Sequence, residues 1–304
     1  MIRRPWKMRH RTGSITFLAL LFLQSTATAN DHNKLANFVF PSDNQITQSQ
    51  FTQLTAPELN KIQNSLELPV EYCLDHVKMR IKDNMIEEWL GSFKKYDFSG
   101  DGIDDLLFIS YCGGEEYRNY FWVNKDNKYY YSGLMEGTIV KLYRTPDSKS
   151  FSAVTRSGYC CLGYIGSIDL FTPEIKDGIL KYKLQKRIKE FGNASISVPD
   201  KRMSSKRFIV KNDKYKLREH PVIDDKYDEY GSDFEGKPVY GNTLAEFTKG
   251  SKGIAIAEKP DNTGRVWWFV LMDEDANAIY SRFHDDANAS KAGWMSSIFL
   301  EVIN

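Results

Sequence analysis

Seven short runs of aromatic and β-branched residues follow one another between residues 105 and 191, and they constrain the fold more than any other feature of the chain. Segments with Gly, Pro, Asn and Asp separate these runs, and such segments are typical of turns. Regular spacing of this kind predicts an antiparallel meander or a small barrel. The predicted strands are LLFISYC, YRNYFWVN, KYYYSGL, GTIVKLYR, FSAVTRSG, YIGSIDLF and ILKYKLQKRI.

Shifts in composition divide the chain into five segments. Residues 1–29 have the layout of a secretory signal peptide, because basic residues precede a short apolar stretch and a site of small residues. Residues 30–54 are polar and rich in Asn and Gln, which suits a loosely packed arm. Residues 55–192 should form a helical start and the meander, and residues 193–206 a linker to a second β unit at 207–304. We therefore expect a mainly β fold with a short helical N-terminal part.

The helical start has a recognisable N-terminus. Thr55 and Glu58 are three residues apart and form the pattern of a capping box, and Pro57 is acceptable in the first turn of a helix.

The signal segment bears on location and on partners. Its apolar stretch is about half the roughly 20 residues that a membrane-spanning helix needs, so we expect cleavage after Ala29 and a periplasmic or secreted protein. No later stretch is long and apolar enough to span a membrane. After cleavage, 36 basic residues stand against 40 acidic ones. This mild acidic excess argues against a nucleic-acid partner, which would require a concentrated basic patch.

Four cysteines accompany the export signal. In an oxidising compartment, four cysteines are expected to form two disulfides. The adjacent Cys160 and Cys161 would be strained if bonded to each other, so each should pair with one of Cys73 and Cys112. The connectivity stays open, and four free buried thiols are the alternative. A metal cluster is less favoured, because the sequence contains no C-x-x-C pair.

The stretch DFSGDGIDD at residues 97–105 is a candidate calcium loop. Hard cations prefer six or more oxygen ligands, and a tight loop can supply them from alternating positions. Gly102 lies at the sixth position, where such a loop turns sharply. The candidate ligands are the side chains of Asp97, Ser99, Asp101 and Asp105 and the carbonyl of Ile103.

The loop pattern D-x-[DNS]-G-D-G-x-x-D resembles the calcium loops of FG-GAP and related secreted repeats. Phe108 occupies the twelfth position, where an EF-hand has a glutamate, so affinity should be modest, of micromolar to millimolar order. The resemblance implies a structural Ca²⁺ ion. The alternative is an acidic tight turn without metal.

The order of motifs in the C-terminal region resembles the bacterial Src-homology-3 domain. A basic residue and a proline precede a K-G turn, a W-W-x-V strand and a closing G-W, and the resemblance implies a small β-barrel. Insertions at 225–236 and 275–290 lengthen loops that often border the binding groove in that family. The matching residues are Arg218, Pro221, Lys249, Gly250, Trp267, Trp268, Val270, Gly293 and Trp294.

Strand alternation separates the aromatic residues of this region. Trp268 and Val270 should share one face of their strand, and Trp267 and Phe269 the other. One set should fill the interior, which leaves Trp267 and Phe269 as candidate partner-binding residues. The alternative is that both faces are buried, one of them against the first domain.

Sequence motifs of catalysis are absent: there is no G-x-S-x-G, H-E-x-x-H, P-loop or dinucleotide fingerprint. The combination of features loosely resembles small periplasmic proteins that inhibit wall-degrading enzymes or confer immunity to secreted toxins. We therefore expect a non-catalytic binding protein of the bacterial envelope whose partner is a toxin or a wall hydrolase. The alternative is a peptidoglycan-binding protein that acts through its Src-homology-3-like region.

Overall fold

The computed structural model describes residues 33–42, 44–62, 65–66, 90–111, 117–144, 149–158, 165–191, 196–232, 238–276, 278–282 and 289–303. The signal segment at 1–29 and the cysteines Cys73, Cys112, Cys160 and Cys161 lie outside the described residues. Export and disulfide formation therefore stay predictions.

The seven predicted strands of the meander are all present. Each begins and ends within a few residues of its predicted bounds, because runs of β-branched and aromatic side chains pack well on a pleated surface. The strands are β4 (Asp105–Tyr111), β5 (Tyr117–Lys125), β6 (Lys128–Glu136), β7 (Thr138–Arg144), β8 (Phe151–Gly158), β9 (Ile165–Lys176) and β10 (Ile179–Phe191).

Short strands from the N-terminal part complete two sheets in this region. One sheet has the order β2-β3-β4-β5-β6, and the other begins with the order β1-β7-β8-β9-β10. All neighbours within these runs are antiparallel. The added strands are β1 (Gln45–Ile46), β2 (Thr52–Gln53) and β3 (Phe93–Tyr96), with a 3-10 turn at Gln48–Gln50 between β1 and β2.

The second sheet continues into the C-terminal region. Strand β10 pairs in parallel with β19, where Ile188 lies opposite Ser290 and Lys189 opposite Lys291. The strands of the C-terminal region are β11 (Lys206–Val210), β12 (Lys214–Arg218), β13 (Tyr227–Ser232), β14 (Pro238–Tyr240), β15 (Thr243–Thr248), β16 (Lys252–Pro260), β17 (Val266–Met272), β18 (Ala278–Ser281), β19 (Ser290–Ser296) and β20 (Leu300–Val302).

The fold is mainly β, as predicted. From β10 onward the strand order is β10-β19-β17-β16-β11-β20; β12 pairs with β15 and β19, and β18 pairs with β15. Strands β13 and β14 form a separate hairpin, and a 3-10 turn at Ser297–Phe299 precedes β20. Within the described ranges no sheet closes into a barrel. The barrel that we expected is thus replaced by an open sheet shared between the two regions.

Strand β17 is buried on both faces. Trp267, Phe269 and Leu271 pack in a cluster that also contains residues of the first β region, such as Val154 and Ile168. Trp268, Val270 and Met272 fill the core of the C-terminal region instead. The predicted alternation is confirmed, and the outer set of side chains is buried where the two regions meet.

The first part of the N-terminal arm is packed into the structure, so the expectation of a loosely packed arm was wrong for these residues. Helix α1 (Lys34–Val39) buries Leu35, Ala36 and Val39 in the same cluster as Trp267. Arg202 donates hydrogen bonds to the carbonyls of Phe38 (2.6 Å) and Val39 (3.0 Å). These carbonyls belong to the C-terminal turn of the helix, which attracts cations.

Helix α2 (Ala56–Ile62) begins at the predicted capping box. The backbone N–H of Thr55 donates to Oε2 of Glu58 (2.9 Å), and the Thr55 hydroxyl donates to the same oxygen (2.7 Å). Lys95 donates to the other carboxylate oxygen at 2.5 Å. These donors, Lys95 first, lower the pKa of Glu58 from 4.5 to about 2.

Glu58→Ala should lower the free energy of unfolding by about 1 kcal/mol, because it removes the glutamate of the capping box while Thr55 stays. Because its folded pKa is lowered, the ionised Glu58 stabilises the protein above pH 4.5, and this contribution disappears as the pH falls through about 2. Urea unfolding at neutral pH and near pH 3 measures both effects. Glu274→Ala, in an exposed turn, is the control, and an equal loss in the two variants would contradict the capping role.

Among the helices that the structure describes, none is long and apolar enough to cross a membrane.

Candidate functional site

The acidic loop at 97–105 connects β3 to β4. Its first aspartate closes the turn: Asp97 Oδ1 accepts hydrogen bonds from the N–H groups of Gly100 (2.6 Å) and Asp101 (3.1 Å), and Oδ2 accepts one from Gly102 (3.1 Å). A guanidinium nitrogen of Arg144 lies 3.7 Å from Oδ2. In this conformation the carboxylate of Asp97 therefore serves mainly the loop backbone.

The last aspartate of the loop is buried. Asp105 is 0 % exposed, and its two oxygens accept hydrogen bonds from the backbone N–H groups of Ser99 (2.7 Å) and Asn124 (2.8 Å). Burial raises the pKa of Asp105 from 3.8 to about 7, although these two donors favour the ionised form. A carboxylate that leaves water for two neutral donors stays electrostatically costly.

The remaining predicted ligands point to different partners. Ser99 uses its backbone oxygen to accept a hydrogen bond from the Ser150 hydroxyl (2.9 Å). Asp101 Oδ1 accepts the N–H of Ile103 (2.8 Å), and both residues are exposed. Throughout the described ranges, no three acidic, His or Cys side chains converge as a metal cluster. The loop has oxygen ligands of the right type, but its carboxylates are turned toward N–H donors.

Glycine is required at positions 100 and 102 of the loop for different structural reasons. Both adopt left-handed backbone angles, with φ of +80° at Gly100 and +89° at Gly102. A Cβ at Gly100 would overlap the backbone oxygen of Lys149 and lie 2.6 Å from its carbonyl carbon, whereas a Cβ at Gly102 would meet no atom within 4 Å. Space is therefore not the constraint at Gly102. Its φ requires glycine, and Gly100 is the residue that lacks space.

Asn124 is a potential oxygen ligand that the sequence analysis missed. Its side-chain oxygen is buried and accepts no hydrogen bond from the described part of the chain, while its amide nitrogen donates to the carbonyl of Asp104 (3.3 Å). The hydroxyl of Tyr182 is also buried without a partner there; burial raises the Tyr182 pKa, and the charges of Asp105 and Asp97 raise it further. The pairing of β4 with β5 places Asn124 beside the loop. The sequence of the loop does not predict this pairing, so Asn124 could not be identified from the motif.

The predicted partner-binding pair is not on the surface. Trp267 is 1 % exposed and Phe269 is 0 % exposed. The indole N–H of Trp267 donates to Oδ2 of Asp261 (3.0 Å), and Phe269 packs edge-on against Trp294 with ring centroids 5.3 Å apart. These residues pack where the two β regions meet, so they are not available as a binding surface.

A different pair of aromatic residues lies on the outside of the C-terminal region. Lys216 on β12, Glu246 on β15 and Tyr280 on β18 lie directly opposite one another in adjacent strands. Their neighbour Leu217 is fully buried, so alternation directs Lys216 outward. Tyr240 lies above this row, with its ring centroid 6.2 Å from that of Tyr280. We call this outward surface of Lys216, Tyr240, Glu246 and Tyr280 the tyrosine face.

Charged side chains form contacts within the tyrosine face and with the neighbouring loop at residues 224–225. Lys216 Nζ lies 5.8 Å from the ring centroid of Tyr240, 3.0 Å from an oxygen of Asp225 and 3.9 Å from one of Glu246. Arg218 is buried and donates to the carbonyl of Asp224 (3.0 Å), and it also pairs with Asp225 (2.8 Å). The loop beside the face is therefore held by a buried guanidinium.

The bordering loop also exposes apolar side chains. Val222 and Ile223 are 51 % and 52 % exposed, and the Asn242 side chain holds their loop by donating to the carbonyls of His220 (3.2 Å) and Val222 (3.0 Å). This loop and the β13–β14 hairpin fall in and around the first insertion predicted from the sequence, and Tyr280 lies in the second.

Comparison with protein-family models, with curated proteins and with solved structures found no match to this chain.

Proposed function

We propose that this chain is an exported, non-catalytic binding protein of the bacterial envelope that recognises a protein partner through the tyrosine face. The partner would be a wall-degrading enzyme that the chain inhibits or a secreted toxin that it neutralises. The observation that supports this proposal best is the pair of exposed Tyr240 and half-buried Tyr280 beside lengthened loops, with a lysine and two carboxylates close by. Tyrosine combines a large apolar contact with a polar tip, which suits it to interfaces.

Rigidity of the underlying sheet supports this proposal. The strands that display the face cover a core in which Leu217, Ala245 and Phe247 are fully buried. A surface on such a base loses little conformational entropy on docking, so more of the contact energy is available for affinity. The resemblance to bacterial Src-homology-3 domains is consistent with a binding role, because the loops that are lengthened in this chain often border the binding groove in that family.

The double variant Tyr240→Ala/Tyr280→Ala should weaken partner binding by about 2–4 kcal/mol, since aromatic residues at interface centres often contribute this much. The assay measures clearing of purified peptidoglycan by a panel of muramidases, amidases and endopeptidases, with and without the mature protein. The wild type is expected to slow at least one hydrolase, and the double variant should need about a 30-fold or higher concentration for the same inhibition.

Tyr117→Ala is the matched control, because Tyr117 is exposed on β5, in the first β region. It should inhibit as the wild type does. Sedimentation with the same peptidoglycan, without hydrolase, separates the alternative function. Sedimentation of the wild type, combined with no inhibition of any hydrolase, would replace protein recognition by wall binding through the Src-homology-3-like region.

We also propose a structural Ca²⁺ ion at the 97–105 loop. Asp97, Asp101 and Asp105 would supply carboxylate oxygens, and the carbonyl of Ile103 and the side chain of Ser99 would complete the set expected from the motif. The buried, unpartnered oxygen of Asn124 and the buried carboxylate of Asp105 support the proposal, because a divalent cation would compensate both. Binding requires Asp97 and Asp101 to turn from backbone N–H groups toward the ion.

Calcium should raise the melting temperature of the mature protein, and a chelator should reverse the rise. A ligand at a hundredfold excess over its dissociation constant stabilises the folded state by about 2.7 kcal/mol. Asp101→Ala should abolish the response, because it removes an exposed ligand without opening the core. Asp104→Ala changes an exposed neighbouring acid outside the ligand pattern and should respond as the wild type. An equal response in all three proteins would place the ion elsewhere, and no response would favour the acidic turn.

A further inference from the structure

A cavity of about 390 Å³ lies where the N-terminal arm crosses from one sheet to the other. Strand β1 pairs with β7 of one sheet, and β2 pairs with β3 of the other, so residues 45–53 connect the two sheet edges. The volume of the cavity falls within the roughly 300–1,000 Å³ range of small-molecule pockets. The lining residues are Gln45, Ile46, Thr47, Phe51, Lys94, Leu107, Ile109, Ile139, Val140, Lys141 and Leu142.

The lining combines apolar walls with two cations and no acid. The apolar side chains are partly or fully buried at the rim of the core cluster that Leu107 and Leu142 share. Lys94 and Lys141 are the charged residues in the lining, and within the described ranges neither forms an ion pair with a carboxylate. This composition suits a ligand with an apolar body and a negative head group.

Lys141 is the more unusual of the two lysines. It is 5 % exposed, and Nζ donates a hydrogen bond to the carbonyl of Phe40 (2.9 Å). Burial lowers the pKa of Lys141, with no acidic group offsetting it. An ammonium group has three donors, so two remain for a further acceptor. A buried cation is costly unless it is paired, and an anionic ligand would supply the partner.

We propose that this cavity binds a medium-chain fatty acid, with the alkyl chain between Ile46, Phe51 and Leu107 and the carboxylate at the lysine-lined part of the wall. The alkyl chain would be covered by the connecting residues 45–51. This segment is mostly exposed and held by local hydrogen bonds, such as Thr47 N–H to Gln50 Oε1 (2.9 Å). A segment with few buried contacts can open at low cost, which gives a ligand access.

Titration calorimetry of the mature protein with octanoate, decanoate, dodecanoate and 1-decanol tests the proposal. Affinity for the carboxylates should rise about fourfold for each added methylene until the cavity is full. Decanoate should bind at least tenfold more tightly than 1-decanol, because hydrogen bonds to charged groups are the stronger ones. Affinity that is independent of chain length, or no binding of any of the four compounds, would overturn the proposal.

Two variants separate the head group from the tail. Lys94→Met/Lys141→Met removes both charges, keeps unbranched side chains only one atom shorter, and should bind decanoate and 1-decanol equally. Retained decanol binding would show that the cavity is intact. If the variant still prefers decanoate, or loses decanol as well while melting as the wild type, the assignment of the lysines is wrong. Ile109→Trp should fill the cavity and abolish binding of both compounds without a large change in melting temperature, and undiminished binding would place the ligand elsewhere.

Discussion

Trp267→Ala is expected to lower the free energy of unfolding by about 3–5 kcal/mol, the usual range for removing a buried tryptophan. Trp267 is 1 % exposed and packs in the cluster that joins helix α1, the first β region and the C-terminal region. Because this cluster draws residues from all three elements, loss of the indole should weaken packing beyond β17 itself. Urea unfolding followed by far-UV circular dichroism measures the loss.

Hydrogen exchange shows whether the loss of stability in Trp267→Ala extends to the first β region, which shares the cluster around Trp267. In Trp267→Ala, amides of β8 and β9 around Val154 and Ile168 should exchange faster, together with those of β17. Tyr240→Ala, on the exposed tyrosine face, should change stability by no more than about 0.5 kcal/mol. Unchanged exchange in β8 and β9 would mean that the two regions are stable independently of each other.

Gly100→Ala should destabilise the protein by about 2–5 kcal/mol, whereas Gly102→Ala should cost about 1–2 kcal/mol. Both substitutions force a residue with a Cβ into the left-handed region. Gly100→Ala also drives that Cβ into the backbone of Lys149, and overpacking of this kind typically adds about 1–3 kcal/mol. Thermal and urea unfolding of the two variants in the presence of a chelator gives the comparison.

The glycine pair also tests the shape of the loop. If the loop closed as a calcium motif without contact with residues 149–150, the two substitutions would have similar effects. The Ser150 hydroxyl donates to the carbonyl of Ser99, so this contact is part of the loop in the structure described above. Equal losses in Gly100→Ala and Gly102→Ala would contradict that contact.

Local patterns in the sequence predict the strands well. The meander strands follow from runs of aromatic and β-branched residues, and the capping box at Thr55 and Glu58 forms with the expected hydrogen bonds. The alternation of β17 is also confirmed, because the period of a strand is fixed by its backbone. Each of these predictions depends on residues that are close together in the chain.

Features that depend on distant residues could not be predicted. The parallel pairing of β10 with β19 joins residues about 100 positions apart, and no local pattern specifies it. This pairing places the first β region beside Trp267 and Phe269, so an apparently exposed aromatic face is buried. The polar composition of residues 30–54 likewise hid the few apolar residues that anchor α1, namely Leu35, Ala36, Val39 and Phe40.

In the candidate sites, too, only the parts formed by residues close together in the chain could be predicted. The acidic loop is visible in the sequence because its residues are contiguous, whereas Asn124 joins it through the β4–β5 pairing and Lys141 meets the carbonyl of Phe40 across the sheet edge. The tyrosine face combines β12, β15 and β18 with the end of β14. The insertions predicted from the sequence indicated where this surface lies, but only strand pairing shows which side chains share it.

Affinity capture tests protein recognition by the tyrosine face most directly. The mature wild type, Tyr240→Ala/Tyr280→Ala and Tyr117→Ala would each be immobilised and exposed to the same envelope fraction and to the secreted proteins of a competing bacterium. Quantitative mass spectrometry should find a toxin or wall hydrolase that the wild type and Tyr117→Ala retain equally and that the double variant retains at least tenfold less. Equal retention of every captured protein by all three baits, with the wild type sedimenting on bare peptidoglycan, would contradict the proposed function.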